Sequence, residues 1–323
     1  MVGVTPFEQR LPSHVRGLRS AVGSEHGFLE NTVVVGVDGS DASTGAVAYA
    51  ANTAAKRGIP LLLVTSYTMP AAMFAEGMVP PQPVYDELER ECLPILEGAR
   101  ETALKVAPEI EVNHAVVEGN PAQVLIDYSR KAKLIVLGSR GLGGIKGMVL
   151  GSVSAAVASH AFCPIVVTRT DTDHPGTDGP VVVGIDGSEI SARATDWAFA
   201  EASARGAELI AVHTWMDPQV QAAAAGIALT DDDWSQLEEQ QHQTLAERLA
   251  GFADRFPDVK VTRYVTRDRA VRALVEQSEG AQLVVVGSHG RGGFAGMVLG
   301  STSRALLQAA PCPVMVVRPE AHA

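Results

Sequence analysis

Two aspartates and two glycine-rich runs carry the chemistry open to this chain. Asp38 and Asp186 each close a run of valines, in VVVGVDGS (33–40) and VVVGIDGS (181–188), and GSRGLGGIKGMVLGSVS (138–154) returns as GSHGRGGFAGMVLGSTS (287–303). Glycine reaches positive φ and, lacking Cβ, lets the main chain approach a ligand closely. Successive amides can then turn inward as an anion-binding nest, and a following helix N-terminus adds N–H donors and the positive end of its dipole. A carboxylate at a strand end suits the hydroxyls of a ribose. An acid for the sugar and amides for the phosphates together specify a mononucleotide. The plainer reading of Asp38 and Asp186 is that they order a turn. Ser152 and Ser301 stand where a hydroxyl either caps a helix or meets phosphate.

The recurring spacing is G-x2-G-x9-G-S, as Gly138, Gly141, Gly151, Ser152 and again Gly287, Gly290, Gly300, Ser301. No GxxxxGK[ST] occurs, so the apparatus of a P-loop NTPase is missing, and the glycines do not follow a first strand as a dinucleotide fingerprint requires. Arg140 and His289 occupy equivalent positions, whereas Lys146 and Arg291 have no basic counterpart in the other copy. These four read as solvated surface groups; phosphate contacts from them would make the two sites unequal. Cys163 and Cys312 each precede a proline and read as packing residues. His213, which replaces Thr65, reads as a satisfied core histidine, and Met69, Met73 and Met78 as a lid or a partner surface.

The elements that must position these groups follow from periodicity. VVVGV, LLLVTSY, VNHAVV, LIVLG and PIVVT are near-continuous apolar runs, as expected of parallel strands covered on both faces. DASTGAVAYAANTAAKRG sets Ala46, Val47, Ala50, Ala51 and Ala54 on one helical stripe and stops at Gly58. In the second copy, WSQLEEQQHQTLAERLAGFADRF reads as one helical pattern with Trp234, Leu237, Leu245, Leu249, Phe252 and Phe256 largely on one face. A βαβαβ alternation of this kind predicts an α/β fold of two tandem, doubly wound, five-stranded parallel sheets, Rossmann-like, with helices on both faces. Ligands of such sheets sit beyond the carboxyl ends of the strands, where the strand order reverses. Asp38 and the loop starting at Gly138 then face one crevice, and Asp186 and Gly287 face another.

The duplication organises the whole chain of 323 residues. LIVLGS (134–139) matches LVVVGS (283–288), and FCPIVVTR (162–169) matches PCPVMVVR (311–318), at an offset of 149 residues. TDTDHPGTDGP, between the copies, has linker composition. The expected organisation is a flexible arm over 1–30, domains over 31–170 and 180–319, and a linker over 171–179. The net charge of −11 argues against a nucleic-acid surface, and no apolar run approaches the ~20 residues of a membrane-spanning helix. Three cysteines, Cys92, Cys163 and Cys312, form neither a CxxC pair nor a zinc spacing, which fits a reducing cytoplasm. The first 30 residues carry Arg10, Arg16 and Arg19 without the apolar segment of an export signal.

Spacing, the VGVDGS strand and the final Cys-Pro strand, all in order and twice, make the chain similar to the universal stress protein family, in its ATP-binding subclass with tandem domains. The resemblance spans about residues 31 to 318; the first 30 residues and the Pro-rich stretch 69–87 depart from it. It implies adenosine contacts from Val37 and Asp38 and from Ile185 and Asp186, with Ser66 and Thr214 lining the adenine pockets. It further implies that the glycine motifs with Ser152 and Ser301 hold ribose and phosphates, with Val153 and Thr302 each adding an amide. The implied cofactor is ATP at two sites, with Mg²⁺. The family dimerises through its last strands, which implies pairing of the two domains with each other and self-association of the chain.

No dedicated base or lysine for phosphoryl transfer is present, and Ser, His and Asp recur in no catalytic order. The expected role is therefore a cytoplasmic stress or regulatory protein whose nucleotide occupancy changes conformation or the choice of a regulatory protein partner, with at most slow ATP hydrolysis. An adenylate-handling enzyme and a nucleotide-free interaction scaffold are the competing readings.

Overall fold

The computed structural model describes residues 19–20, 29–69, 81–141, 150–169, 178–215, 230–290 and 299–319. Two compact units divide at residues 157 and 158. In the first, the chain runs β1 (Arg19–Ser20), β2 (Val33–Gly36), α1 (Asp41–Arg57), β3 (Leu61–Tyr67), α2 (Gln82–Val106), β4 (Val112–Glu118), α3 (Pro121–Tyr128) and β5 (Leu134–Gly138), then enters α4 (Ser152–His160). The sheet order is β1-β4-β3-β2-β5, all parallel, with Val34 opposite both Leu62 and Ile135. Strand order reverses at β2, so right-handed crossovers set α1 and α2 on one face and α3 on the other. The apolar runs are the core: Val33 to Val35, Leu61 to Leu63, Ile135 and Val136 are wholly buried.

Helix α1 begins at Ser40, whose side chain accepts from Ser43 N at 3.2 Å, and ends at Gly58 in the left-handed region (φ 62°). Its expected stripe of Ala46, Val47, Ala50, Ala51 and Ala54 is buried without remainder. Helix α2 contains Pro94, which breaks the i→i−4 ladder at that point.

In the second unit the order in sequence is β6 (Ile165–Thr168), β7 (Val181–Gly184), α5 (Glu189–Arg205), β8 (Leu209–Thr214), α6 (Asp231–Leu249), α7 (Phe252–Arg255), β9 (Val261–Thr266), α8 (Ala270–Gln277), β10 (Leu283–Gly287), α9 (Ser301–Ala309) and β11 (Val314–Val317). Strands β11-β10-β7-β8-β9 are parallel neighbours, again reversing beside the first strand of the copy. Within this unit β6 pairs antiparallel with β11, Ile165 opposite Val316 and Val167 opposite Val314. Arg318 Nε donates to Ala161 O at 3.0 Å and Arg169 Nη1 to Gln308 O at 3.1 Å, flanking that ladder.

Two expectations need correction. The single helical pattern over 234–256 is two helices, because Gly251 turns left-handed (φ 64°) after Leu249. The break lets Phe252 and Phe256 stack on the buried Phe199 at 5.2 and 5.6 Å, a cluster that a continuous helix face does not provide. Within the expected arm, Arg19–Ser20 pairs with Asn113 and His114 of β4, which a loose arm does not predict. Residues 1–18 and 21–28 of the arm, residues 171–177 of the linker over 171–179, and Met73, Met78, Lys146 and Arg291 lie outside the described residues.

Candidate functional site

The site is built at the carboxyl ends of β2 and β5 in the first unit and of β7 and β10 in the second. Beyond β2, Asp38 Oδ1 accepts from Ser40 N at 3.0 Å and Ser40 Oγ at 2.6 Å; beyond β7, Asp186 Oδ1 accepts from Ser188 N at 2.9 Å and Ser188 Oγ at 2.7 Å. Each serine also caps the next helix, Ser40 for α1 and Ser188 for α5. The turn closes through Gly39 (φ 84°) and Gly187 (φ 81°), a conformation that side-chain-bearing residues rarely adopt. So one carboxylate oxygen does order the turn, as the plainer reading has it. The other, Oδ2, faces the glycine loop: a Cβ on Gly141 would collide with Asp38 Oδ2, and one on Gly290 with Asp186 Oδ2.

The remaining glycines are also places of close approach. A Cβ on Gly138 would come within 2.6 Å of the Ala42 backbone, and one on Gly287 within 2.7 Å of Ile190 Cγ2. Gly151 N donates to Ser139 O at 2.7 Å and Gly300 N to Ser288 O at 2.6 Å, so the two ends of each loop are tied together. Among the described residues none of the six motif glycines has positive φ. The expectation that they serve left-handed backbone is corrected at these positions: Gly138, Gly141, Gly287 and Gly290 leave under 3 Å for a Cβ, whereas one on Gly300 or Gly151 would sit 3.1 or 3.4 Å from its nearest neighbour.

Ser152 and Ser301 are the exposed first residues of α4 and α9, with Val153 and Thr302 half-buried behind them. Gly300, not Ser301, is the N-cap of α9 and makes no side-chain cap bond, which corrects the capping role for Ser301. Val37 and Ile185 are buried, and their amides are committed to the sheet, donating to Val64 O at 2.9 Å and Val212 O at 2.8 Å. Ser66 and Thr214 are half-buried near the ends of β3 and β8, paired with Val117 and Thr266. Asp and glycine loop therefore meet directly in both units. Ser66 and Thr214 stand one strand further along the same sheet edge.

The second site has one extra constraint. His213 is buried, with Nδ1 2.7 Å from Ile185 O and Nε2 3.1 Å from Gln241 Oε1, which makes it a satisfied core histidine. Cys163 and Cys312 are buried, and burial pushes the Cys312 thiol up to about 12, so this sulfur stays protonated and packs.

Sequence reasoning missed four pairs of serines. Ser40 and Ser188 hold the aspartates, and Ser43 and Ser191 bond to those serines. Ser139 and Ser288 receive the loop-closing amides at their main-chain carbonyls, and the hydroxyls of Ser154 and Ser303 reach back to the loop start. Ser154 Oγ donates to Gly138 O at 2.7 Å and Ser303 Oγ lies 2.9 Å from Gly287 O. The signal was present as an S-x-x-S spacing after each aspartate and as Gly-Ser-x-Ser at each loop end, in both copies.

Comparison with known proteins matches this architecture. The profile of the Universal stress protein family fits residues 31–169 and again 179–318. A universal stress protein of Mycobacterium tuberculosis is 42% identical over 299 residues, covering 90% of this chain and 97% of that protein. A second from the same species is 41% identical over 295 residues, covering 88% and 96%. The crystal structure of a universal stress protein from Archaeoglobus fulgidus superposes with a TM-score of 0.63 at 22% identity, covering 90% of this chain and 99% of that one, a likeness of fold. On its two matched segments and on relatives spanning nearly its whole length, the chain belongs to the universal stress protein family.

Proposed function

We propose that this chain is an ATP-binding universal stress protein with one adenine-nucleotide site in each repeat, acting by occupancy as a cytoplasmic stress-response regulator and not by rapid turnover. One observation carries the reading: in both repeats an aspartate oxygen lies against the Cα of a loop glycine, where no side chain fits. A carboxylate so placed can accept from ribose hydroxyls while the adjoining main chain approaches phosphate. Asp38, Gly141, Gly151 and Ser152 would hold one nucleotide, and Asp186, Gly290, Gly300 and Ser301 the other. Ser66 and Thr214 would border the bases, and Val37, Gly138, Val153, Ile185, Gly287 and Thr302 would complete the frames. Among the described residues no three His, Cys, Asp or Glu side chains gather to hold a metal. Mg²⁺ would then arrive with the phosphates, as it commonly does. The repeats serve as domains over 31–170 and 180–319.

Equilibrium titration of the purified chain with ATP and with AMP tests this. Saturable binding of two nucleotides per chain is expected; failure of both ligands to bind would remove the reading.

A further inference from the structure

In the first unit α1 and α2 border a partly open cavity of about 350 Å³ whose walls include Val37, Gly39, Val47, Pro94, Ile95 and Ala99. It shares Val37 with the proposed nucleotide frame, but neither the motif glycines nor Ser66 line it. At the matching place in the second unit the helix carries a longer side chain. Helices α2 and α6 begin at matching positions, Gln82 and Asp231, so Gly98 and Ala99 correspond to Glu247 and Arg248. Arg248 Nη1 lies 3.5 Å from His213 Nδ1, which is bonded to Ile185, the counterpart of Val37. A long side chain thus stands in one repeat where the other has an alanine.

The lining defines the occupant. Among the described residues no charged side chain contributes to it, and a charge placed there without a partner is disfavoured. Its polar groups are the hydroxyls of Ser43 and Thr44, and both protons are already donated to Ser40 O, at 2.9 and 3.1 Å. Among the described lining side chains the polar atoms left to a ligand are therefore hydroxyl oxygen lone pairs, which a donor on the bound molecule would meet. The volume lies at the lower end of small-molecule sites.

We propose that this cavity binds a small, neutral, mainly apolar molecule carrying one hydroxyl or amide N–H donor, and that it is coupled to the Asp38 turn. The coupling runs through one residue: Ser40 O receives the cavity hydroxyls, while Ser40 N and Oγ hold Asp38 Oδ1. The coupling rests on the nucleotide reading; the cavity itself does not.

The test is a titration of the full chain, with Ile and Val methyls isotopically labelled, using 2-phenylethanol as probe and ethylbenzene as its donor-free analogue. Saturable shifts are expected at Ile95 and Val47, with 2-phenylethanol binding at least threefold more tightly than ethylbenzene. Ala99→Arg, which copies the second repeat, should abolish the shifts, and Ala99→Met, a milder filling, should weaken binding at least tenfold. Unmoved methyls, or shifts that survive both variants, would overturn the site; equal affinity for the two probes would overturn its donor preference. With Gly290→Val isolating the first nucleotide site, a saturated cavity should change ATP affinity at least threefold, and an unchanged affinity overturns the coupling. If ATP does not bind at all, the nucleotide reading fails and the methyl titration alone decides the cavity.

Discussion

At the scale of single residues, Asp38 and Asp186 do two jobs with two oxygens. Oδ1 is fixed by the serine two residues on, and Oδ2 looks across at the glycine loop. Substitution can separate the jobs. Asp38→Asn keeps an Oδ1 acceptor for Ser40 N but removes the negative charge. It should cost about 1 kcal/mol of stability, the difference between a charged and a neutral acceptor for the Ser40 bonds, while weakening AMP and ATP alike. A hydrogen bond to a charged acceptor contributes about 1.5–3 kcal/mol, so the expected loss at the first site is roughly ten- to hundredfold. Asp38→Ala should weaken binding equally and destabilise the turn further. Calorimetric titration with both nucleotides checks this; loss of ATP affinity with AMP spared would show that the aspartate does not serve the ribose.

At the scale of elements, strands were legible and interruptions were not. Uninterrupted Val, Ile and Leu can be covered on both faces only in the middle of a sheet, so β2, β3, β5 and their counterparts were readable from composition. Gly58 ended α1 as expected because its left-handed φ satisfies the last carbonyls. Gly206 does the same for α5 in the second copy. Gly251 instead turns the chain between α6 and α7, and the apolar periodicity continues across that break, so Phe252 and Phe256 looked like more of one helix. The aspartates and glycines of the site were legible from type and spacing. The serines that hold them were not, because a hydroxyl acts only through partners up to 16 residues away.

Two elements carry predictions of their own. His114, in β4, is buried, and burial, then the nearby Arg100 charge, lowers its pKa from 6.5 to about 4. The native state therefore binds fewer protons than the unfolded chain between these values. Stability present above about pH 6.5 is lost as pH falls toward 4, by at most about 3 kcal/mol. Urea unfolding across that window should show the loss in the wild type and a flatter profile in His114→Leu; parallel profiles would refute the assignment. In α5, Arg205 Nη2 and Glu201 Oε2 are 2.7 Å apart with side chains only 3% and 2% exposed. Glu201→Gln strands a buried cation and should cost about 3–5 kcal/mol, whereas Glu201→Met with Arg205→Met should be near neutral. Denaturation of both variants checks this, and a larger loss in the double variant would mean that the pair stabilises the helix outright.

At the scale of the whole molecule, the question is whether two similar sites act as two. Each repeat carries its own aspartate, its own loop glycine and its own tied loop ends. A ligand that binds only the native state stabilises it by RT ln(1 + [L]/Kd), about 2.7 kcal/mol at a hundredfold excess over Kd. The sequence supplies a reporter for one side alone, since all three tryptophans, Trp197, Trp215 and Trp234, belong to the second unit. Unfolding followed by tryptophan fluorescence should therefore shift with ATP through the second site. Gly290→Val, which sets a side chain against Asp186, should lower the stoichiometry from two nucleotides to one and abolish that shift. Gly141→Val should lower the stoichiometry equally and leave the shift in place. If the two variants instead changed the fluorescence transition to the same extent, occupancy would be shared between the repeats, and regulation would have to be sought in their coupling and not in either site alone.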